Sequence, residues 1–511
     1  MKKIAPSKLI KLLIALLVIG IFVFIAFNYG NSFIEKKLRN NQKLNEFVAF
    51  SSVEVSILNK TIVFNELKSK REISFMKNAV KGSITKVKVQ DFNLWSYLTK
   101  KNIEIGKIHF TKPALSLYKN STPKSIKTDS TAKNKIYIKE IILNNGSLLQ
   151  LDSIQEDTIL SLYKLNSIIK NVTIDGEKTR QKPVPKLEKL SFKNLEYTLG
   201  EWEKISVQNL LFQNNNLTAQ HFLLATIYSK NELSQYLPKE RDYYHIEIPE
   251  IQLQKVKVLS NNKLTIQLDK ISIIEPLFEF YRDKLLPDDF TTKAFITNQF
   301  KQVQIPINID AFALHNGHLK YAERTSLKRE PKPLELEEIH VEIQELNFPL
   351  DSTLHIQTSS QLMGNGQFNL DWTFENPAKS TAFLTKGELS HFNTTTLNPF
   401  LRANLNVEVE GEIDKMYFTF SGDSYRTTGD MKMNYDDFKF KVLRKDLLGV
   451  NKLLTGIVNL FTNDGSKTDA EGYRYGKIET ERVAHKSFFN YQWLAIQSGI
   501  KETVTGNGKK D

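Results

Sequence analysis

The residue types best able to do chemistry are two histidines, His315 and His318, in the string HNGH. Imidazoles are common ligands of zinc and other borderline metals. Ser116 and Lys119 stand in an S-x-x-K spacing, in which a serine nucleophile is paired with a lysine. Two acidic pairs, Asp288–Asp289 and Asp436–Asp437, could offer carboxylates for acid–base work. Each fails a simple test. In an internal repeat described below, the positions matching the histidines are Asn144 and Ser147, so the repeat does not call for imidazole. Ser116 lies in a strand pattern rather than at the start of a helix. Neighbouring residues on a strand point to opposite faces, which separates the paired aspartates. The chain has no HExxH, GxSxG or Walker A motif, and no GxGxxG followed by a helix. It has no cysteine, which removes disulfides, thiolate zinc sites and cysteine nucleophiles. The expectation is a protein that is not an enzyme, with no catalytic residue, metal or cofactor.

The elements around these residues say more. The chain has 511 residues, 41% hydrophobic and 25% charged, in the range of folded domains. Its formal net charge is +13. No helix-turn-helix, zinc finger or aromatic RNA-binding pattern accompanies that charge, so nucleic acid is not an expected partner. A lysine-rich proteome, or attraction to anionic lipid headgroups, accounts for it.

Residues 1–30, MKKIAPSKLIKLLIALLVIGIFVFIAFNYG, contain an unbroken apolar run from Leu12 to Phe27. With flanking residues and a snorkelling Lys11, this gives about the 20 residues that cross a bilayer. Lys2, Lys3, Lys8 and Lys11 precede it, which predicts a cytoplasmic amino terminus. A cleaved signal peptide would have a shorter core and a small-x-small site. None is evident, so we read an uncleaved single-pass anchor with the bulk of the chain beyond the membrane. Residues 31–50 read as a helical neck.

From residue 51 the texture changes to short runs alternating apolar and polar residues, the mark of half-buried strands. One stretch recurs. IEIGKIHFTKPALSLY, from Ile103, matches IQLDKISIIEPLFEFY, from Ile266, and each is followed by a second matching pair, IYIKEIILNNGSL and INIDAFALHNGHL. The repeat units span 87–151 and 251–322. A fixed self-similarity of this kind marks a repeat architecture. The motif also breaks step: Ile103 and Ile105 share a strand face, but Ile108 follows three residues later. A bulge or tight turn at Gly106–Lys107 would restore the face. Pro113 calls for a bulge, a strand start or an unpaired edge. Asn145–Gly146 and Asn316–Gly317 read as hairpin turns. A β-sandwich would close within ~100 residues, whereas the pattern here runs on to about residue 443. The alternative is a long sheet with one apolar and one wet face. Its apolar wall would include Ile103, Ile105, Ile108, Phe110, Leu115 and Leu117 in the first unit, and Leu268, Ile271, Ile273, Phe278 and Phe280 in the second.

These features resemble the AsmA-like family, related to the bridge-like lipid transfer proteins. The resemblance rests on the amino-terminal anchor, the IEIGKIHFTKPALSLY unit with its companion IYIKEIILNNGSLLQL, and the region 383–443. That region places a helix-like turn, TTLNPFL, before a strand with Gly411 and then FSGDSYRTTGDMKMNYDDFKF. The resemblance implies a mainly β protein: one amino-terminal transmembrane helix, an elongated curved antiparallel sheet forming an open apolar groove, and carboxy-terminal amphipathic helices. It implies a bacterial inner-membrane protein whose bulk is periplasmic and which moves phospholipid toward the outer membrane, maintaining its lipid balance. The partners implied are phospholipids, the inner membrane, and the outer membrane or a protein in it. Such work needs no catalytic group. An acyl chain in water loses about 0.8 kcal/mol per CH₂, so two chains lose roughly 20 kcal/mol, and an apolar trough removes most of that penalty. The other reading is an assembly factor for outer-membrane proteins, whose edge strands pair with clients.

The resulting domains are 1–30 (cytoplasmic stub and anchor), 31–50 (neck), 51–250 and 251–443 (two groove segments) and 444–511 (amphipathic helices and tail). In that last part, Lys445–Phe461 and Lys486–Val504 have helical spacing. Phe489, Trp493, Ile496 and Ile500 share one face of the second, suited either to capping the sheet or to contact with a membrane or partner.

Overall fold

The structure is a computed structural model that describes residues 35–36, 38–56, 59–70, 73–75, 78–93, 103–119, 136–152, 157–174, 185–260, 264–303, 305–443 and 468–505. The anchor, the helix expected over Lys445–Phe461, and most of the two polar linkers 119–135 and 176–186 lie outside these residues. No helix among the described residues is long and apolar enough to cross a membrane. The chain forms two compact units, Met1–His221 and Phe222–Asp511. Both are mainly β.

The first unit begins with helix α1 (Gln42–Phe47), capped by the Asn41 side chain, which accepts from the Leu44 backbone N–H. Its strands are β1 (Val48–Ala49), β2 (Ser52–Ser56), β3 (Thr61–Ser69), β4 (Ile73–Phe75), β5 (Asn78–Phe92), β6 (Ile103–Lys119), β7 (Ile136–Asp152), β8 (Thr158–Ile174), β9 (Lys186–Leu199) and β10 (Glu203–Gln213). From β5 to β10 each strand pairs with the next. These pairs are antiparallel except one: β6 and β7 run parallel, with Ile105 opposite Ile138 and Leu115 opposite Leu148. The antiparallel sheet expected above holds for the other pairs and is interrupted here. A parallel pair needs a crossover rather than a hairpin, and the chain between Lys119 and Ile136 is long enough to make one.

Strand β11 (Asn216–Thr226) contains the boundary between the units. The second unit continues with α2 (Lys230–Tyr236), β12 (Asp242–Gln254), β13 (Lys257–Ser260), β14 (Leu264–Ile274), β15 (Leu277–Asp283), α3 (Ile296–Phe300), β16 (Ile307–Arg324) and β17 (Leu334–Phe348). It goes on through β18 (Leu354–Leu362), β19 (Gly366–Phe374), β20 (Phe383–Asn393), α4 (Asn398–Asn404), β21 (Val407–Gly422), β22 (Arg426–Val442), β23 (Arg474–Glu481) and α5 (Phe488–Thr505). The helix-like turn read at TTLNPFL is a 3₁₀ turn, Thr394–Leu397, running into α4. Strands β14 and β15 together play the part of β6. They pair antiparallel with β12 on one side and parallel with β16 on the other, and β16 then pairs antiparallel with β17. The two sequence repeats therefore share one pairing pattern, including its parallel pair.

The broken step in the motif has a structural counterpart that crosses many strands. In the first unit the inner-face sequence advances three residues instead of two at one level of β5, β6, β7 and β8: Val89 to Phe92, Ile105 to Ile108, Ile138 to Ile141, and Ile169 to Val172. The extra residues face one another, so pairing resumes in register on both sides. Asp91 and Asn171, in this row, have left-handed backbones. A second row crosses from β3 to β9 through Glu66, Thr85, Lys112, Asn145, Lys164 and Asn194, and all but Thr85 have φ between 48° and 54°. In the second unit the same device places Glu275, Asn316 and Glu338 in left-handed conformation. Asn145–Gly146 and Asn316–Gly317 are thus not hairpin turns: both lie within long strands, β7 and β16. The signal was misread because Asn favours φ > 0 wherever the backbone needs it, in a bulge as much as in a turn.

We predict that Asn145→Gly leaves stability nearly unchanged, while Asn145→Val destabilises the first unit by about 1–3 kcal/mol, the cost of a β-branched residue at φ near +52°. Chemical denaturation of the two variants measures the difference.

Candidate functional site

The aligned steps keep one face of each sheet apolar. Across β5 and β6 the inner face pairs Val89 with Ile108, Val87 with Phe110, and Val80 with Leu117. It continues through Ile141 opposite Ile169 and Leu148 opposite Leu162. Between β9 and β10 it pairs Leu190 with Phe212, Phe192 with Leu210, Leu195 with Val207, and Tyr197 with Ile205. The outer face of the same strands carries Lys81, Lys86, Lys88, Glu104, Lys107 and Glu140, with Lys107 and Glu140 paired at 3.3 Å. There His109 is held below its ordinary pKa by partial burial and by Lys107, Lys88 and Lys86.

The residues read as groove wall divide into two classes. Ile103, Ile105, Ile108 and Phe110 are no more than 2% exposed. They belong to a closed cluster with Leu38, Leu44, Val53, Ile62 and Phe64. Leu38 and Leu44 come from the neck, which folds back onto this end of the face. Leu115 and Leu117, further along the same strand, are half-buried. The face stays partly open along β9 and β10, where Leu190, Phe192, Leu195, Tyr197, Ile205, Leu210 and Phe212 are half-buried and only Val207 is buried. Sequence reasoning did not single out these residues, although KLSFKNLEYTL carries the same broken alternation. In the second unit Leu268 is buried, while Ile271, Ile273, Phe278 and Phe280 are half-buried.

The far end of the second unit is closed by α5. Its Phe488, Tyr491, Ala495 and Gly499 are buried against the sheet, in a core with Phe374, Phe383, Phe418, Phe420 and Met431. Gly476 on β23 and Gly499 on α5 allow the close approach: a Cβ at Gly476 would lie 2.4 Å from the Thr503 nitrogen. Gln492 accepts from Thr385 Oγ1 at 2.8 Å and from Trp372 Nε1 at 3.2 Å. Of the four residues proposed for outside contact, Ile496 and Ile500 border this core. Phe489 and Trp493 remain 64% and 51% exposed, with the Phe489 ring 6.4 Å from that of Trp372.

The inner face of the second unit ends in charge. Its rungs pass from Ile246–Phe278–Leu319 to Tyr244–Phe280–Tyr321 and then to Asp242–Arg282–Glu323. Arg282 holds Asp242 through Nε and Nη2, both at 2.5 Å. Glu240, its side chain 3% exposed, accepts from Lys284 at 2.6 Å and from Lys486 at 2.7 Å. Lys486 lies two residues before α5 and also reaches Asp288 at 3.1 Å. Burial alone would raise the pKa of Glu240, but the two lysine hydrogen bonds outweigh it and lower the carboxyl to about 2. These groups lie up to 246 positions apart in sequence, and no local pattern announced them.

A metal could find one set of ligands among the described residues: His318, Glu335 and Glu337, whose donor atoms lie within 4.8 Å of one another. Lys320 already sits 3.7 Å from Glu335 and competes for it. His315, the other histidine of the HNGH string, instead lies against His340, with ring centroids 6.3 Å apart. Comparison with known proteins finds no family model that matches the chain and no curated relative.

Because the folded pKa of Glu240 lies below its ordinary 4.5, its stabilisation is complete above about pH 5 and is lost as pH falls toward 2. Glu240→Gln removes the carboxylate that Lys284 and Lys486 share and leaves Lys486 only Asp288, and we predict a loss of about 3 kcal/mol at neutral pH. The variant should also lack the acid-side decline contributed by this group, which thermal melts across pH will show.

Proposed function

We propose that this chain is a lipid-handling protein of the AsmA-like kind, held in the inner membrane by residues 1–30 and carrying phospholipid along an apolar sheet face toward the outer membrane. One observation carries the reading: each unit keeps a single sheet face apolar through rows of coordinated steps, and much of that face is only half-covered. A globular core would close over such a face, since every exposed Å² of it forgoes about 25 cal/mol. Acyl chains lying along it recover that energy with no fixed pocket and no catalytic group. The anchor sequence supplies the membrane, and the net charge of +13 favours anionic surfaces.

Photo-crosslinkers at Leu115, Leu117, Phe192, Phe278 and Phe280 are expected to yield phospholipid adducts in cells, and those at Glu104 and Lys107 none. Adducts to protein alone would remove the lipid reading and favour the assembly-factor alternative.

On the same reading, Phe489 and Trp493 contact the far membrane or a protein in it. Replacing both with Glu should leave the melting temperature nearly unchanged, because both side chains are exposed. Flotation with vesicles of outer-membrane phospholipid should weaken. Unaltered flotation would assign α5 to capping alone.

A further inference from the structure

The outer face of the second unit holds a cluster that the apolar face does not explain. His318, Glu335 and Glu337 bring their donor atoms within 4.8 Å of one another. Strand register puts them there. Leu319 stands opposite Leu336 and Lys320 opposite Glu335, but Gly317 stands opposite Ile339. β17 thus places two residues, Glu337 and Glu338, at the level of His318. Glu338 takes the left-handed conformation of the bulge, at φ 50°, and its carboxylate accepts from Gln361 Nε2 at 2.7 Å. Glu335 and Glu337, two positions apart, share a face. It is the face of His318 and Lys320, which alternate with the inner-face Leu319.

The fold itself does not ask for these side chains. The first unit makes the same bulge with Lys164, also at φ 50°, in the place of Glu338. There Gly146 stands opposite Leu165, Leu148 opposite Leu162, and Leu149 opposite Ser161. The positions matching His318, Glu335 and Glu337 are therefore Ser147, Ser161 and Tyr163, which offer neither imidazole nor carboxylate. The charges of the second unit's set are also incompletely matched. His318 Nε2 lies 2.7 Å from Glu335 Oε2, and Lys320 lies 3.7 Å from that same oxygen. The Glu337 carboxylate is half-buried and has no ion-pair partner among the described residues. Two carboxylates this close favour a cation between them.

We propose that His318, Glu335 and Glu337 bind a divalent first-row metal ion, with zinc the best match to one imidazole and two carboxylates. The ion takes the place of the proton between Nε2 and Glu335, which passes to solvent. It also supplies the positive charge beside Glu337. Lys320, moved from Glu335, keeps Glu279 opposite it on β15. The ion links β16 to β17 where the bulge interrupts their ladder, and so acts as a clip on the wet face. The HNGH string contributes one ligand rather than two, since His315 lies against His340 instead. The inference stands apart from the lipid reading.

The test uses the purified full-length chain in detergent, stripped with EDTA and titrated with zinc against a chromophoric chelator. Wild type should take up one zinc per chain. His318→Ala and Glu337→Gln should each weaken binding at least about tenfold, because even partners behind the ligands are worth that much. Lys320→Met, which removes the competing ammonium, should tighten it, and His315→Ala should leave it unchanged. Zinc should raise the melting temperature of wild type but not of His318→Ala. In chelator, Glu337→Gln should melt no lower than wild type, because it removes one of two like charges; this also shows that the variant is folded. Equal zinc affinity in wild type, His318→Ala and Glu337→Gln would assign the ion to other surface histidines and overturn the proposal. So would failure of wild type to take up zinc at one equivalent.

Discussion

A β-strand turns successive side chains to opposite faces, so a sequence with apolar residues at Ile103, Ile105, Ile108 and Phe110 cannot keep them together on a regular strand. It must gain one residue between Ile105 and Ile108. Were one strand to gain it alone, its neighbours would oppose two residues with one, and the ladder would be locally broken. Here each neighbour gains one at the same level, and the ladder resumes in register. Several of the added residues adopt φ near +50°, which explains the choice of Asn, Asp and Lys rather than Val or Ile at those points. The face survives because the irregularity is shared.

An apolar sheet face needs cover, and each unit supplies it in its own way. In the first unit the neck folds back, and Leu38 and Leu44 close over Ile105, Ile108 and Phe110. In the second unit α5 seals the face with Tyr491 and Ala495 while holding Phe489 and Trp493 outward. The helix is tied on by polar groups as well: Gln492 to Thr385, and Lys486, just before its start, to Glu240. A buried carboxylate with two lysines is an expensive way to add stability. Its effect is to place the start of the helix beside the charged rung.

Long one-sided strands, the repeat, the step at Gly106 and the helical turn before Gly411 could all be read from the sequence, because each depends on residues within a few positions of one another. Proline and glycine marked the irregular levels correctly. The Asn-Gly pairs were legible as sites of positive φ but not as bulges, since a turn and a bulge ask for the same local conformation. Which strands pair, and that β6 and β7 run parallel, depends on a crossover whose length the sequence leaves free. The open portion of the face along β9 and β10 also escaped notice. Exposure is a property of what fails to cover a residue, and Leu190 and Phe192 differ from Ile108 in nothing local.

The sequence by itself therefore determined the polarity of the faces, because side-chain alternation is a property of one strand. It also determined the levels at which alternation must be broken, because those need particular φ values. The tertiary structure decided which part of the apolar wall becomes core and which stays available, because that depends on distant segments folding over it. It alone assembled Glu240, Arg282, Lys284 and Lys486, since charges that far apart in the chain meet only when the sheet and its closing helix are in place.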